Sequence, residues 1–224
     1  MTQIVFLTFG DQKFSESLRR IQVEASQLPF TKIVGVSDTE LKSCTDFWDK
    51  HGEFVLANQR GFGYWIWKPF LILRELHAMS DGDVLVYADA GCTAHPNRDL
   101  FDASIEAVKS SDSGIMTYNS MSYERMFTKA DLFDRMGARG LEMHFQRIAT
   151  YFIIQRRAST VKLVERWYSI AGDYRNIDDS ASDALNAVDF YEHRHDQSIF
   201  SILCNMDGSP MYSKSFIEGT RIRK

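Results

Sequence analysis

The sequence predicts a single α/β domain with a mainly parallel central sheet and helices on both of its faces. Short apolar runs of strand length alternate with longer segments of helical periodicity, which is the pattern of β-α-β units. The chain has 224 residues, enough for one complete hydrophobic core. It contains no internal repeat, low-complexity tract or linker rich in Pro, Gly and Ser, so we expect one domain over residues 1–224.

The chain opens with such a unit. "QIVFLTF" (3–9) is a continuous run rich in β-branched and aromatic residues and predicts a fully buried strand. Apolar residues at helical spacing over 11–28 predict a helix that Pro29 ends. "TKIVGVS" (31–37) then predicts a second buried strand.

Two helices are predicted next. The segment 38–54 carries apolar residues at helical spacing, and Asp38 or Thr39 can cap it. The second helix begins in "WKPFLILRELHAM" (67–79), where Pro69 suits the first turn because its missing N–H would have no partner there.

The rest of the chain continues the alternation. Apolar runs predict three further buried strands, at 81–89, 113–119 and 148–156. Helical spacing predicts three further helices, at 97–111, 158–174 and 195–204, the last with Asp196 as its N-cap.

The composition limits the classes of function. A formal charge of −4 argues against a nucleic-acid-binding protein. Three widely spaced cysteines without a CxxC pair fit reduced thiols, and hence a cytoplasmic location. The N-terminal apolar run of six residues has no basic segment before it, unlike a signal peptide, and no window reaches the roughly 20 apolar residues of a membrane span.

The C-terminal segment is basic. It carries Lys214, Arg221, Arg223 and Lys224 and predicts a solvated terminus. Weak attraction to an anionic membrane surface is the alternative, so any membrane contact is expected to be peripheral at most.

Two motifs point to a ligand site. The strand "VLVYADAG" places Asp89 at the carboxyl end of the sheet, where open α/β sheets bind ligands, and the small Ala90 and Gly91 let a ligand approach the backbone. The alternative is that Asp89 only begins a polar turn. In "GFGYWIWKPF" (61–70), Lys68 lies near a helix start, where phosphate is a natural partner.

The aromatic residues around Lys68 divide into two groups. Tyr64 and Trp65 are candidates to pack against a base or a sugar. Trp67 and Phe70 are better explained as core residues that anchor the helix. 

The segment "EHRHDQSIFS" clusters polar residues before an apolar helix. His193 and His195, two residues apart, do not share a helix face and make a poor zinc pair. The sequence has no HExxH, GxSxG or GxxxxGK[ST] motif, which leaves no basis for a metalloprotease, serine hydrolase or P-loop enzyme.

The order of these motifs resembles glycosyltransferases of the GT-A (Rossmann-like) fold, especially the glycogenin and family 8 type. The matching segments are "VFLTFG", "GYWIWKP", "YADAG", "NRDLFD" (97–102), "TYFIIQRR" and "HDQSIFS", within residues 1–205. "GYWIWKP" together with "DAG" looks still closer to small bacterial polysaccharide-synthesis transferases.

The resemblance implies roles for individual residues. Donor contacts are expected from Thr8, Phe9, Gly10, Tyr64, Trp65, Lys68, Asp89, Ala90 and Gly91. Asp196 and Gln197 match the pair beside the transferred sugar and are the expected catalytic residues. Residues 1–118 would form the half that binds the nucleotide sugar, and 119–224 the acceptor-side half.

Acceptor contacts are expected from the polar, Met-rich stretch 119–147 between two strands, because long loops in compact domains are commonly functional. Its candidates are Tyr123, Arg125, Arg139, His144 and Gln146.

The sequence departs from the family at the metal site. Gly91 stands where a second carboxylate is customary, and no histidine follows His195. One alternative is that Asp89 with His195, His193 or His95 holds Mn²⁺ or Mg²⁺. The other is that Lys68 and an arginine neutralise the diphosphate without a metal.

Three functions follow as hypotheses. The first is transfer of a hexose from a nucleoside-diphosphate sugar, UDP-sugar being favoured, to a hydroxyl of a glycan or lipid-linked acceptor in surface polysaccharide synthesis. Retention follows from the resemblance, whereas inversion would need a base such as Asp196 or Glu192. The second is a sugar-nucleotide-binding module without catalysis, and the third is phosphoryl transfer with Asp89 as nucleophile.

Overall fold

The computed structural model describes residues 2–219 and contains one large sheet with helices on both faces. The strands of the chain are β1 (Ile4–Gly10), β2 (Lys32–Ser37), β3 (Val84–Ala88), β4 (Thr93–Ala94), β5 (Ile115–Tyr123), β6 (Phe145–Arg147), β7 (Tyr151–Gln155), β8 (Met211–Tyr212) and β9 (Ile217–Glu218). The helices are α1 (Ser15–Ala25), α2 (Asp38–Ser43), α3 (Thr45–Ala57), α4 (Gly61–Tyr64), α5 (Trp67–Ala78), α6 (Arg98–Ser110), α7 (Glu124–Phe127), α8 (Ala130–Met136), α9 (Ala158–Ala171) and α10 (His195–Asp207).

The strand order is β2-β1-β3-β7-β5-β6, with β8 beside β5, and β4 pairs with β9 separately. β1 is parallel to β2 and β3, β7 is antiparallel to β3, and β5 is antiparallel to β7. β8 is parallel to β5 and β6 antiparallel to it. Five of the seven strands therefore run in one direction, which confirms the predicted mainly parallel sheet.

Side chains alternate between the two faces of the sheet, and each face packs into a separate hydrophobic core. On β3, Leu85 and Tyr87 join a core with α5, α9 and α10, while Val84 and Val86 join a second core with α1 and α6. Both faces of β3 are fully buried, and this is why its sequence is a continuous apolar run rather than an alternating one.

Several local predictions need correction. The predicted helix 38–54 breaks at Cys44, whose backbone is extended, and gives α2 and α3. Neither Asp38 nor Thr39 caps it: Ser37 does, in a capping box with Glu40 that satisfies two backbone N–H groups. Asp196 is not the N-cap of α10 either, because its carboxylate turns inward to a lysine.

The predicted long connection between 119 and 147 contains ordered elements. β5 runs on to Tyr123, and α7, α8 and β6 follow within the stretch. Its polar composition hid them because these elements are short and are held by contacts with α10 rather than by a periodic apolar face of their own.

The basic C-terminal segment is only partly described. Lys214 is exposed, as expected of a solvated terminus, whereas Arg221, Arg223 and Lys224 lie outside the described residues. None of the helices within residues 2–219 is long and apolar enough to span a membrane.

Trp67→Ala is expected to reduce the free energy of unfolding by about 3–5 kcal/mol, since it removes a large buried side chain. Trp67 is 3% exposed and its ring lies 4.0 Å from that of Phe9, centroid to centroid. Urea denaturation measures the change. Leu185→Ala is the control, because that side chain is 98% exposed and its loss should change stability by less than about 0.5 kcal/mol. Equal effects of the two variants would contradict the anchoring role of Trp67.

Candidate functional site

Two adjacent chambers form a cleft at the carboxyl ends of β1 and β3. The chamber of about 520 Å³ is called the outer chamber, and that of about 200 Å³, lined by the buried Lys68, His195 and Asp196, is called the deep chamber. Both chambers are lined by Trp65, Asp89, Thr150 and Gln197. Since ligands of open α/β sheets bind beyond the carboxyl ends of the strands, this cleft is the candidate site.

Aromatic rings form much of the wall of the outer chamber. Phe9, near the end of β1, packs on Trp67, and Phe14 lies on the same chamber. Such rings offer flat apolar faces to a base or sugar. Among the described residues that line this chamber there is no lysine or arginine, while Asp11 and Asp89 contribute carboxylates.

Most residues expected to contact a donor line the cleft. On the outer chamber are Phe9, Gly10, Trp65, Asp89, Ala90 and Gly91, and on the deep chamber is Lys68. Thr8 and Tyr64 line neither chamber. Thr8 is fully buried in β1, and Tyr64 is buried with its hydroxyl donating to Asp179 Oδ2 at 3.0 Å.

A buried lysine holds two carboxylates at the deep chamber. Lys68 Nζ lies 3.2 Å from Asp89 Oδ1 and 3.2 Å from Asp196 Oδ2, and it donates to the Ala149 carbonyl at 3.1 Å. Tyr87 donates its hydroxyl to Asp89 Oδ1 at 2.6 Å. The ammonium is therefore already paired, and its first role in this structure is to hold the two carboxylates.

Three elements bring these groups together. Asp89 follows the last residue of β3, and Tyr87 lies two positions earlier and so on the same face of the strand. Lys68 lies in the first turn of α5, and Asp196 in the first turn of α10. Side chains distant in sequence meet because both helices pack on the same face of the sheet.

Burial controls the protonation of this cluster. Burial raises the pKa of Asp196 to about 7, although the charge of Lys68 opposes the shift. For Lys68, burial lowers the pKa, but the charges of Asp196 and Asp89 together outweigh it, so that the pKa is raised. Lys68 is thus a cation at neutral pH, whereas Asp196 is poised to exchange a proton.

The motif "GFGYW" folds into a left-handed turn. Its five successive φ angles, from Gly61 to Trp65, are 57°, 53°, 84°, 52° and 60°. Each non-glycine residue in this region costs roughly 1–2 kcal/mol. A Cβ on Gly61 would lie 2.3 Å from the Trp65 ring, and one on Gly63 would lie 2.7 Å from Val55, so both glycines are required. The turn places Trp65 at the junction of the two chambers.

His195 is a neutral hydrogen-bond acceptor in the wall of the deep chamber. It is buried at a left-handed φ of 52°, and its Nδ1 lies 2.6 Å from the Ile177 carbonyl, so the ring proton is on Nδ1. Burial lowers its pKa to about 4. Nε2 is buried and has no hydrogen-bond partner among residues 2–219. The Trp65 ring stacks on the imidazole, and the Tyr64 ring packs against it at a tilt.

The structure supplies only part of a ligand set for a divalent metal. His193 uses both ring nitrogens in hydrogen bonds to the backbone, and His95 pairs with Glu218 at 2.9 Å. Asp89 and His195 both line the deep chamber, but within residues 2–219 no group of three His, Cys, Asp or Glu side chains is placed to hold a metal. These residues do not fit a metal bound by the protein alone.

The residues expected on the acceptor side separate into two sets. Tyr123 stacks on Phe145, and Arg125 lies 5.2 Å above the Tyr123 ring and pairs with Asp189. Exposed positions are occupied by Arg139, paired with Asp134 and Glu142, and by His144. Gln146 needs correction: it is fully buried and bonded to Gln197 rather than open to an acceptor.

Sequence reasoning missed several residues of the deep chamber. Arg60, Thr150 and Arg194 line it. Arg60 bridges Asp179 and Glu192 at 3.1 and 3.4 Å. Arg194 was visible within "EHRHDQ", whereas Arg60 and Thr150 carry no local signal and join the site only through the tertiary fold.

No protein-family model matches the sequence, and no curated protein matches it significantly. Solved structures similar to this chain include three glycosyltransferases. Mouse xyloside xylosyltransferase 1 is 12% identical with a TM-score of 0.47, over 94% of this chain and 84% of that one. GlyE of Streptococcus pneumoniae is 11% identical with a TM-score of 0.45, over 95% and 45%. The galactosyltransferase LgtC, solved with donor and acceptor sugar analogs, is 14% identical with a TM-score of 0.44, over 89% and 70%.

Asp196→Asn is expected to gain stability relative to the native chain as pH rises. The folded-state pKa of about 7 lies above the ordinary value of 3.8, so folding favours the protonated carboxyl. This contribution is complete below pH 4 and decreases progressively up to pH 7, where the buried carboxyl must ionise; the amide does not titrate. Urea denaturation at pH 5 and pH 8 measures the difference, on the order of a few kcal/mol.

Ser198→Ala is the matched control on α10. Ser198 is buried and donates to the Phe127 carbonyl at 2.8 Å but carries no titratable group. Its stability difference from the native chain should therefore be the same at both pH values. A pH-independent difference for Asp196→Asn would contradict the raised pKa.

Proposed function

We propose that the chain is a glycosyltransferase that moves a hexose from a nucleoside-diphosphate sugar to a hydroxyl of a glycan or lipid-linked acceptor. UDP-sugar is the favoured donor, and surface polysaccharide synthesis in the cytoplasm is the favoured setting. The observation that carries the proposal is the pairing of Asp89 and Asp196 through Lys68 where an aromatic chamber meets a polar one.

Each chamber suits one part of the donor. The outer chamber offers the rings of Phe14 and Trp65 to a nucleoside. The deep chamber suits the sugar, because its wall presents hydrogen-bonding groups such as Gln197 and His195. We assign residues 1–118 to donor binding and 119–224 to the acceptor side, with Tyr123, Arg125 and His144 as acceptor candidates.

The chemistry requires charge at the junction. When the bond from the anomeric carbon to the diphosphate breaks, positive charge develops at that carbon, and fixed carboxylate and amide oxygens stabilise it. We assign this role to Asp196 and Gln197 and assign Asp89 to the donor. For inversion, Asp196 or Glu192 would accept the proton of the acceptor hydroxyl. Glu192 is placed on the deep chamber beside Arg60.

A second candidate function is sugar-nucleotide binding without catalysis. The observation that favours it is the absence of lysine and arginine among the described residues lining the outer chamber. In that case the protein would bind nucleotide but release no diphosphate from the donor.

UDP and UDP-hexoses are expected to raise the melting temperature, because a ligand that binds only the native state stabilises it by mass action. Manganese alone is expected to leave it unchanged, since the described residues hold no cluster of three metal ligands. A thermal-shift series with each nucleotide, with manganese and with both together makes the measurement. No shift with any nucleotide would contradict both candidate functions.

Asp89→Asn and Asp196→Asn are each expected to lower donor turnover by well over tenfold, a loss of about 1.4 kcal/mol or more in the transition state. Release of UDP from the UDP-hexose that gives the largest thermal shift measures turnover, and circular dichroism checks the fold. Asp102→Asn is the control, because Asp102 is exposed and pairs with Arg98 one turn earlier on α6, away from the cleft. Near-native turnover in both site variants would refute these assignments, and no UDP release by the native chain would favour the binding module.

A further inference from the structure

A fully buried carboxylate lies behind the deep chamber. Glu124, the first residue of α7, is 0% exposed. Four donors reach it: Ser201 and Asn205 donate to Oε1, and Thr128 and Gln146 donate to Oε2. Because all four groups donate, the arrangement uses both carboxyl oxygens as acceptors.

This carboxylate determines which way the amide of Gln146 points. Gln146 Nε2 donates to Glu124 Oε2 and to Thr128 Oγ1, both at 3.3 Å. Its Oε1 must then face the other way, where it accepts from Arg194 Nη1 at 3.1 Å and from Gln197 Nε2 at 2.9 Å. The reverse orientation would oppose the amide oxygen to the Glu124 carboxylate at one end and the amide nitrogen to the donors of Arg194 and Gln197 at the other.

The orientation of the Gln146 amide in turn fixes the orientation of the Gln197 amide. With Nε2 donating to Gln146, Gln197 Oε1 accepts from the Ala149 N–H at 3.1 Å. The side chain is therefore fixed from two sides, and one amide hydrogen and one lone pair of Gln197 are left for the cleft.

We propose that Glu124 is a positioning residue that sets, through Gln146, the amide orientation of Gln197 and the place of Arg194 in the deep chamber. The proposal rests on the proposed function only for its effect on turnover. Glu124 touches neither chamber, so it acts entirely through its neighbours.

Glu124→Gln tests this chain of hydrogen bonds from Glu124 through Gln146 to Gln197, which we call the relay. The side-chain NH₂ group of the new glutamine faces one of the two pairs of donors. When it faces Thr128 and Gln146, the Gln146 amide reverses. Gln197 then loses the hydrogen bond to Gln146 that fixes its orientation. The expected result is a fall in kcat/KM for the donor of about tenfold, equivalent to about 1.4 kcal/mol. Glu124→Gln combined with Gln146→Glu restores a carboxylate that accepts from Arg194 and Gln197, and should return kcat/KM to within about threefold of native.

Two further variants separate positioning from general stability. Asn205→Ala removes a donor on the Oε1 side, away from Gln146, and should lower the melting temperature but leave kcat/KM within about threefold. Gln146→Met keeps Glu124 but removes the amide that links it to Gln197, so its fall in kcat/KM should equal that of Glu124→Gln. It serves as the test if Glu124→Gln does not fold. A folded double variant that stays as slow as Glu124→Gln would overturn the proposal.

The side-chain amide resonance of Gln197, assigned by its loss in Gln197→Ala, gives a readout that needs no activity. It should shift in Glu124→Gln and return in the double variant. An unchanged resonance in Glu124→Gln and Gln146→Met would overturn the relay. The expected resonance shifts in a protein that turns over no donor would support the relay and refute the proposed function.

Discussion

The ammonium of Lys68, buried between Asp89 and Asp196, is the interaction on which the candidate site depends. It joins the start of α5, the end of β3 and the start of α10 through contacts of 3.2 Å to each carboxylate. Burying charges is costly, and removing one partner of a buried pair costs about 3–5 kcal/mol because the other is left unpaired. The rings of Tyr87 and Trp67 lie 5.3 and 5.9 Å from the ammonium and add cation–π attraction. Without this lysine, the buried Asp196 would lose the cation that opposes the rise of its pKa.

The left-handed turn at residues 61–65 is a second source of unfavourable free energy beside the candidate site. The turn is held by backbone hydrogen bonds from Tyr64 N to Arg60 O and from Trp65 N to Gly61 O, at 2.8 and 3.1 Å. Directly after it, Trp67 and Phe70 enter the core, and their burial offsets the strain. Strain that persists next to a cleft indicates a functional constraint on the position of Trp65.

The sequence predicted the sheet well because its central strands are buried on both faces and are therefore uninterrupted apolar runs. Lys68, Asp89 and Asp196 could be named from their motifs, but not that they would bind one another, since that depends on how α5 and α10 pack on the sheet. The left-handed turn was beyond sequence reasoning: Gly61 and Gly63 were its only signal, and the three bulky residues argue against that backbone. Glu124 gave no signal because its hydrogen-bond partners Gln146, Ser201 and Asn205 lie far along the chain.

The charge of the buried cluster bears on the proposed binding of an anionic donor. With Asp196 ionised, the cluster of Lys68, Asp89 and Asp196 carries one net negative charge, and it would repel a diphosphate. Because burial raises the pKa of Asp196 to about 7, protonation makes the cluster neutral at little cost near neutral pH. Asp196 is thus the group through which the buried cluster adapts its charge, while Lys68 keeps its geometry.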